Sequence, residues 1–201
     1  MNRFANRMNR GNRKNRGFSL AEAMVAIGVL SVGVLSLARL VPYATRNDYG
    51  SRTDATGTFI AMRELEQMIA QPWGVTSFTD AADGNSATAA VNMSCACADP
   101  CTTPGEAGAP FVGGTETINY SVGAVNGYQR TYTIVQATGN TAKINMGSYD
   151  VRWHITCYRY YVGGVANGGG FDKIVVAARP SGSLVPGMIP IPAHIRAVRM
   201  K

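Results

Sequence analysis

Residues 18–38 read FSLAEAMVAIGVLSVGVLSLA, a run of 21 residues whose single formal charge is Glu22. A helix needs ~20 such residues to cross the hydrocarbon core of a bilayer. Before the run stand Arg3, Arg7, Arg10, Arg13, Lys14 and Arg16, with no acidic residue among them. By the positive-inside rule this tail stays cytoplasmic and the rest of the chain faces outward. A cleaved secretory signal also starts basic and continues apolar. Here the apolar run exceeds the usual signal core, and residues 35–39 (LSLAR) make a poor small-x-small cleavage site.

The net charge of +7 belongs to that tail. Of 19 basic residues the tail holds six, which leaves 13 against 12 acidic ones, a net of +1 for the body. A nucleic-acid surface needs Lys and Arg clustered on a folded face, and no such cluster follows Gly17. No nucleic-acid partner is expected. The remaining chain is rich in Gly, Ala and Thr, as in extracytoplasmic β-rich domains, and 201 residues suffice for one domain plus an extra element.

Glu22 is the anomaly. A carboxylate inside a membrane helix costs about 2.5–3.5 kcal/mol on insertion scales and persists where it meets a cation. The nearest downstream cation is Arg39, ~25 Å away along a helix. The partner must come from another chain or from a charge made by processing, unless the side chain snorkels to the interface. Arg16-Gly17-Phe18-Ser19-Leu20-Ala21-Glu22, followed by the apolar run, resembles the class III signal of type IV pilins and pseudopilins. The resemblance implies a prepilin peptidase that cuts between Gly17 and Phe18, and N-methylation of the new N-terminal Phe18. It also implies that Glu22, in the fifth mature position, meets the new α-amino group of a neighbouring subunit. Such a pair cancels two buried charges only in one register. A heterologous contact that does not close builds a helical filament.

The helical pattern extends past Pro42, which is expected to kink a continuous helix. In residues 58–71 (TFIAMRELEQMIAQ), Phe59, Met62, Leu65, Met68 and Ile69 recur at three- and four-residue steps. Arg63, Glu64, Glu66 and Gln67 fall largely opposite. Pro72-Trp73-Gly74 ends the helix. Residues 74–114 read as a long loop. Strands are expected at 116–125, 130–137, 149–162, 171–178 and near 194–200, with turns at Asn126-Gly127 and Thr138-Gly139-Asn140. Trp153, Tyr158, Tyr160 and Tyr161 read as packing residues. Asn167-Gly168-Gly169-Gly170 reads as a flexible hairpin tip, since it lacks the lysine and strand–loop–helix setting of a phosphate cradle.

The fold class expected is α+β and pilin-like: a long N-terminal hydrophobic helix packed by its C-terminal half on an antiparallel sheet. The domain plan is a leader over 1–17, a transmembrane and assembly helix over 18–41, its continuation over 42–73, and a β-rich head over 74–201 with a disulfide-bearing loop at 75–114.

Cys95, Cys97, Cys101 and Cys157 fit an oxidising compartment and are the disulfide candidates. Four cysteines allow three pairings. One pattern joins a loop cysteine to Cys157 while the other two close a small loop, for which Cys97–Cys101 is sterically easier than Cys95–Cys97. The rival is a metal held by four thiolates, but C-x-C-x3-C lacks paired C-x2-C knuckles. His154 and His194 are the only histidines and no nucleophile adjoins them. No catalytic residue, metal or cofactor is expected.

The resemblance implies a structural subunit, most like a minor pilin of the pilus-modification group. Its partners are the prepilin peptidase, inner-membrane lipid before assembly, and other pilins in the filament. The same features fit a type II secretion minor pseudopilin. A reading from another class is an uncleaved, single-pass anchored binding protein. Adhesion through the 75–114 loop is also open.

Overall fold

A computed structural model describes residues 18–79, 90–96, 103–138, 142–162, 165–182 and 191–200. These form one helix, α1 (Leu20–Ala70), and seven strands. The strands are β1 (Ser77–Thr79), β2 (Ala90–Asn92), β3 (Gly105–Gly108), β4 (Gln129–Thr138), β5 (Ala142–Val162), β6 (Val165–Ser181) and β7 (Ala193–Met200). The chain divides into two compact units, Met1–Thr45 and Arg46–Lys201, so α1 contributes to both.

In the first unit the helix starts with Ser19, whose Oγ accepts the Glu22 backbone N–H at 3.2 Å. It runs on through Pro42. Proline has no N–H to give to the carbonyl four residues back. Just beyond, Thr45 Oγ1 donates to the carbonyls of Val41 (3.1 Å) and Pro42 (3.0 Å).

In the second unit an antiparallel sheet runs in the order β3-β5-β6-β7, and β4 also pairs with β5. β4 takes residues 142–152 of β5 and β3 takes residues 154–157. β1 and β2 form a separate two-stranded ladder. The period-two pattern of β5 sorts its side chains by face. Tyr149, Val151, Trp153 and Ile155 join Ile174, Val176 and Ala178 of β6 in one core, closed by Ile60, Ala61, Leu65 and Met68 of α1. The fold is therefore α+β, with the C-terminal part of the long helix on an antiparallel sheet.

Four expectations need correcting. Residues 116–125 are not a strand: they hold a single isolated bridge, Phe111 to Ile118. The carbonyls of Asn119 and Val122 go instead to the Arg152 guanidinium, at 3.4 and 2.9 Å. The 74–114 loop contains β1, β2 and β3, too short to show a period. Residues 167–170 lie within β6, not at a hairpin tip. A side chain at Gly170 would run into the Tyr158 carbonyl, beside the register shift between Arg159 and Tyr161.

The fourth correction concerns the buried face of α1, which is Gly57, Ile60, Ala61, Glu64, Leu65 and Met68. Phe59, Met62 and Ile69 point outward, 67%, 46% and 38% exposed. The buried face mixes small residues, Gly57 and Ala61, with the large Ile60, Leu65 and Met68. Gly57 lies where a Cβ would make ordinary contact with Tyr149 and the Ala178 carbonyl.

The Asn126-Gly127 turn stands as expected, with Gly127 at φ +81° and Tyr128 N–H donating to Val125 O at 3.0 Å. Trp153 is fully buried, its Nε1 donating to Asn92 O at 2.8 Å, and Tyr158 stacks on Phe171 at 4.2 Å. Gly17, Cys97, Cys101, the Gly139-Asn140 turn and the side chains of Tyr160 and Tyr161 lie outside the described residues.

Candidate functional site

The site begins with a helix that has no interior to bury. From Phe18 to Tyr43 the large apolar side chains are exposed on every side: Leu20, Met24, Val25, Ile27, Val29, Leu30, and so on along the run. A helix apolar all round is matched to lipid or to other helices, not to water. Among the described residues this is the one helix long and apolar enough to cross a membrane. Gly28 and Gly33 have nothing within 4 Å of where a Cβ would stand, which leaves two notches for a neighbour's side chains. Ser31 and Ser36 return their hydroxyls to the backbone, donating to Gly28 O (2.8 Å) and Val32 O (2.9 Å). The polar atoms of these serines are thereby satisfied without water.

Glu22 stands in the first turn, at the third helical position after Ser19. Ser-x-x-Glu is the spacing of a capping box, and the Ser19 half of it is formed. Sequence reasoning took Glu22 only as a charge in search of a cation and missed this local role, although Ser19-Leu20-Ala21-Glu22 displays it. A carboxylate here also lies at the positive end of the helix dipole. Both Phe18 and Glu22 are exposed, so their functional groups are open to a neighbour.

The prokaryotic N-terminal methylation motif matches residues 12–38. The chain carries a type IV pilin-like prepilin signal. No curated protein and no solved structure matches it. The prepilin signal supports a precursor of the pilin or pseudopilin type. It implies processing by a prepilin peptidase and assembly with other pilins, and pilins are structural proteins. The apolar helix fits membrane anchoring followed by association with a filament.

In the second unit, Cys95 and Cys157 form a disulfide with Cα atoms 6.0 Å apart. It ties the segment after β2 to the middle of β5 and removes two of the thiolates that a four-cysteine metal site would need. Among the described residues no group of three or more His, Cys, Asp or Glu side chains is placed to hold a metal. Within this unit the buried charged groups serve packing. Glu64 is fully buried, accepts the Tyr132 hydroxyl proton, and has Arg130 Nη1 at 4.0 Å. At the far end of α1, Arg159 and Arg199 each hold Asp172 at 2.8 Å and lie over the Trp73 ring at 5.0 and 5.3 Å. This cluster fastens β5, β6 and β7 to the segment that leaves the helix.

Proposed function

We propose that this chain is the precursor of a structural minor pilin. Prepilin peptidase cuts between Gly17 and Phe18, Phe18 is N-methylated, and the mature protein joins a type IV pilus or primes its assembly. Before assembly it sits in the inner membrane as a single-pass protein, basic leader inside and head outside. The observation that carries this reading is the prepilin signal at residues 12–38 leading into a helix whose apolar side chains have no cover of their own.

Processing supplies what Glu22 lacks. Cutting at Gly17 creates an α-amino group at the head of the helix, and the Glu22 carboxylate of the next subunit neutralises it when the two helices stack in register. Two buried charges that cancel in one register set the axial step, while the uncharged remainder of the helix permits sliding. On the second unit, Phe59, Met62 and Ile69 form an outward apolar stripe, a surface suited to neighbouring subunits.

The test is incorporation. With Glu22→Ala in the native cell, membrane levels of the protein are expected to hold while its amount in sheared filaments falls by an order of magnitude or more, a ~1.4 kcal/mol or larger loss in the docking step. Wild-type incorporation of that variant would remove the register argument. Recovery of the wild type only with secretion complexes, and never with filaments, would move the chain to a type II secretion pseudopilus.

A further inference from the structure

The sheet has a second covered face. Residues 109–122 fold back over it as a strap, a small hairpin closed by Asn119 N–H to Pro110 O (2.8 Å) and Val112 N–H to Thr117 O (2.8 Å). Ala109 and Ile118 of the strap are buried against Val175 and Ala177 of β6, with Phe111 and Tyr120 at the margin. The chain has two histidines, and both fasten this strap. His154 of β5 has Nδ1 2.9 Å from Ala109 O and lies tilted against Phe111 with ring centroids 4.0 Å apart. His194 of β7 has Nδ1 3.1 Å from Pro192 O, and its Nε2 accepts the Ile118 backbone N–H at 3.1 Å.

A nitrogen facing a carbonyl carries the proton, which places hydrogen on Nδ1 of both rings. The Ile118 N–H donated to His194 Nε2 requires that nitrogen to be unprotonated. A proton added to His194 Nε2 would face the Ile118 N–H and abolish that bond. A proton added to His154 Nε2 would be buried with no acceptor among the described residues. We infer that the strap is an acid-released cover: protonation of His154 and His194 frees residues 109–118 and uncovers the apolar patch of Val175 and Ala177.

Burial lowers the proton affinity of both rings below the usual histidine value, opposed by their bonds to the Ala109 and Pro192 carbonyls. The charged groups that face them are Glu106 of β3, which favours the His154 cation, and Lys173 of β6, which opposes it. Glu116 of the strap and Arg196 of β7 share the cleft beside His194. Glu116 bonds Lys173 at 2.8 Å and Arg196 at 3.0 Å, and those two cations hold its carboxyl below the ordinary range. Its carboxylate stays ionised where the histidines charge, so these two surface ion pairs oppose the release, but exposed pairs of this kind contribute little. A group whose folded-state proton affinity is depressed contributes its full stability above its unfolded pKa, ~6.5, and loses that contribution as the pH falls through the folded value. The opening runs downward from about pH 6.5.

The end of the strap does not share this sensitivity. Residues 119–122 are held by the Arg152 guanidinium on Asn119 O and Val122 O, and by the Tyr120 hydroxyl, 2.8 Å from Ala177 O. Arg152 and Arg179 lie over the Tyr120 ring at 4.7 and 4.4 Å. Burial raises the proton affinity of the Tyr120 hydroxyl, which stays protonated here. Residues 119–122 act as the hinge.

The test follows amide exchange of the full chain in detergent by NMR, corrected for the intrinsic pH dependence of exchange. Protection of the Ile118 and Ala109 amides is expected to fall about tenfold or more between pH ~7.5 and ~5, while the Trp153 and Val176 amides hold. Equal behaviour of all four amides would overturn the proposal. His194→Gln keeps a side-chain acceptor and His154→Asn keeps a donor, and neither titrates. The double variant should lose the pH response, and its persistence would assign the response elsewhere. Should the double variant fail to fold, the ring titrations of the unaltered protein decide: both midpoints below ~6.5 support the cover, and either one at or above that value overturns it.

Discussion

Glu64 shows how much a single residue can depend on its partners. A carboxylate with no solvent exposure is tolerable only when hydrogen-bonded and paired, and β4 supplies both needs through Tyr132 and Arg130. Arg130 also lies over the Tyr132 ring at 5.3 Å. Removing one partner of a buried pair leaves a desolvated charge behind, whereas replacing both by apolar groups of similar volume is close to neutral. Glu64→Ala is therefore expected to cost about 3 kcal/mol or more, read as a lower denaturation midpoint. The double variant Glu64→Leu, Arg130→Met is expected to regain most of that loss. Equal destabilisation in both variants would show that the pair contributes by volume and not by charge. The amphipathic reading of 58–71 placed Glu64 outward, because a carboxylate's buried partners lie 66 and 68 positions away in the chain and leave no local trace.

At the level of elements, α1 carries two different faces beyond Thr45. The inner face uses Gly57, Ala61 and Leu65 to approach the sheet, and the outer face presents Phe59, Met62 and Ile69 to solvent. Because Phe59 is exposed, Phe59→Ser is expected to change stability by less than about 0.5 kcal/mol while reducing incorporation into filaments severalfold. A large drop in the denaturation midpoint would instead assign Phe59 to the core of the second unit. The helix and the strands from β4 to β7 were legible because their signals are long: an unbroken apolar run, a 3.6-residue period, and the alternation through Val151, Trp153 and Ile155. The strap was not legible as such. Val122 and Ile118 look like strand residues, but their segment is organised by Arg152, Tyr120 and the two histidines, all contacts between distant parts of the chain. β1 to β3 escaped notice because three or four residues are too few to display a period. The helix face was misjudged in part: Leu65 and Met68 of the predicted stripe are buried, but Gly57, Ala61 and the buried Glu64 that complete the face carry no apolar period.

Over the whole molecule, the two units make opposite demands on their surroundings. The second buries its own apolar core, carries a disulfide from Cys95 to Cys157, and pairs the buried Arg199 with Asp172. The first leaves more than a dozen large apolar side chains uncovered, each worth roughly 1.5–3 kcal/mol when taken out of water. In the proposed function, lipid meets that demand before assembly and neighbouring helices meet it afterwards. Glu22 stands out in the sequence because it breaks an otherwise uncharged run, and Gly17-Phe18 because it stands where a basic tail meets that run. The functional proposal rests on processing, since only a cut after Gly17 creates the cation that Glu22 needs. Intact mass with N-terminal peptide mapping, on protein from its native membrane, tests this directly. The account predicts a chain beginning at N-methylated Phe18. A chain still carrying Met1 to Gly17 would contradict it and return the protein to the class of uncleaved membrane-anchored binding proteins.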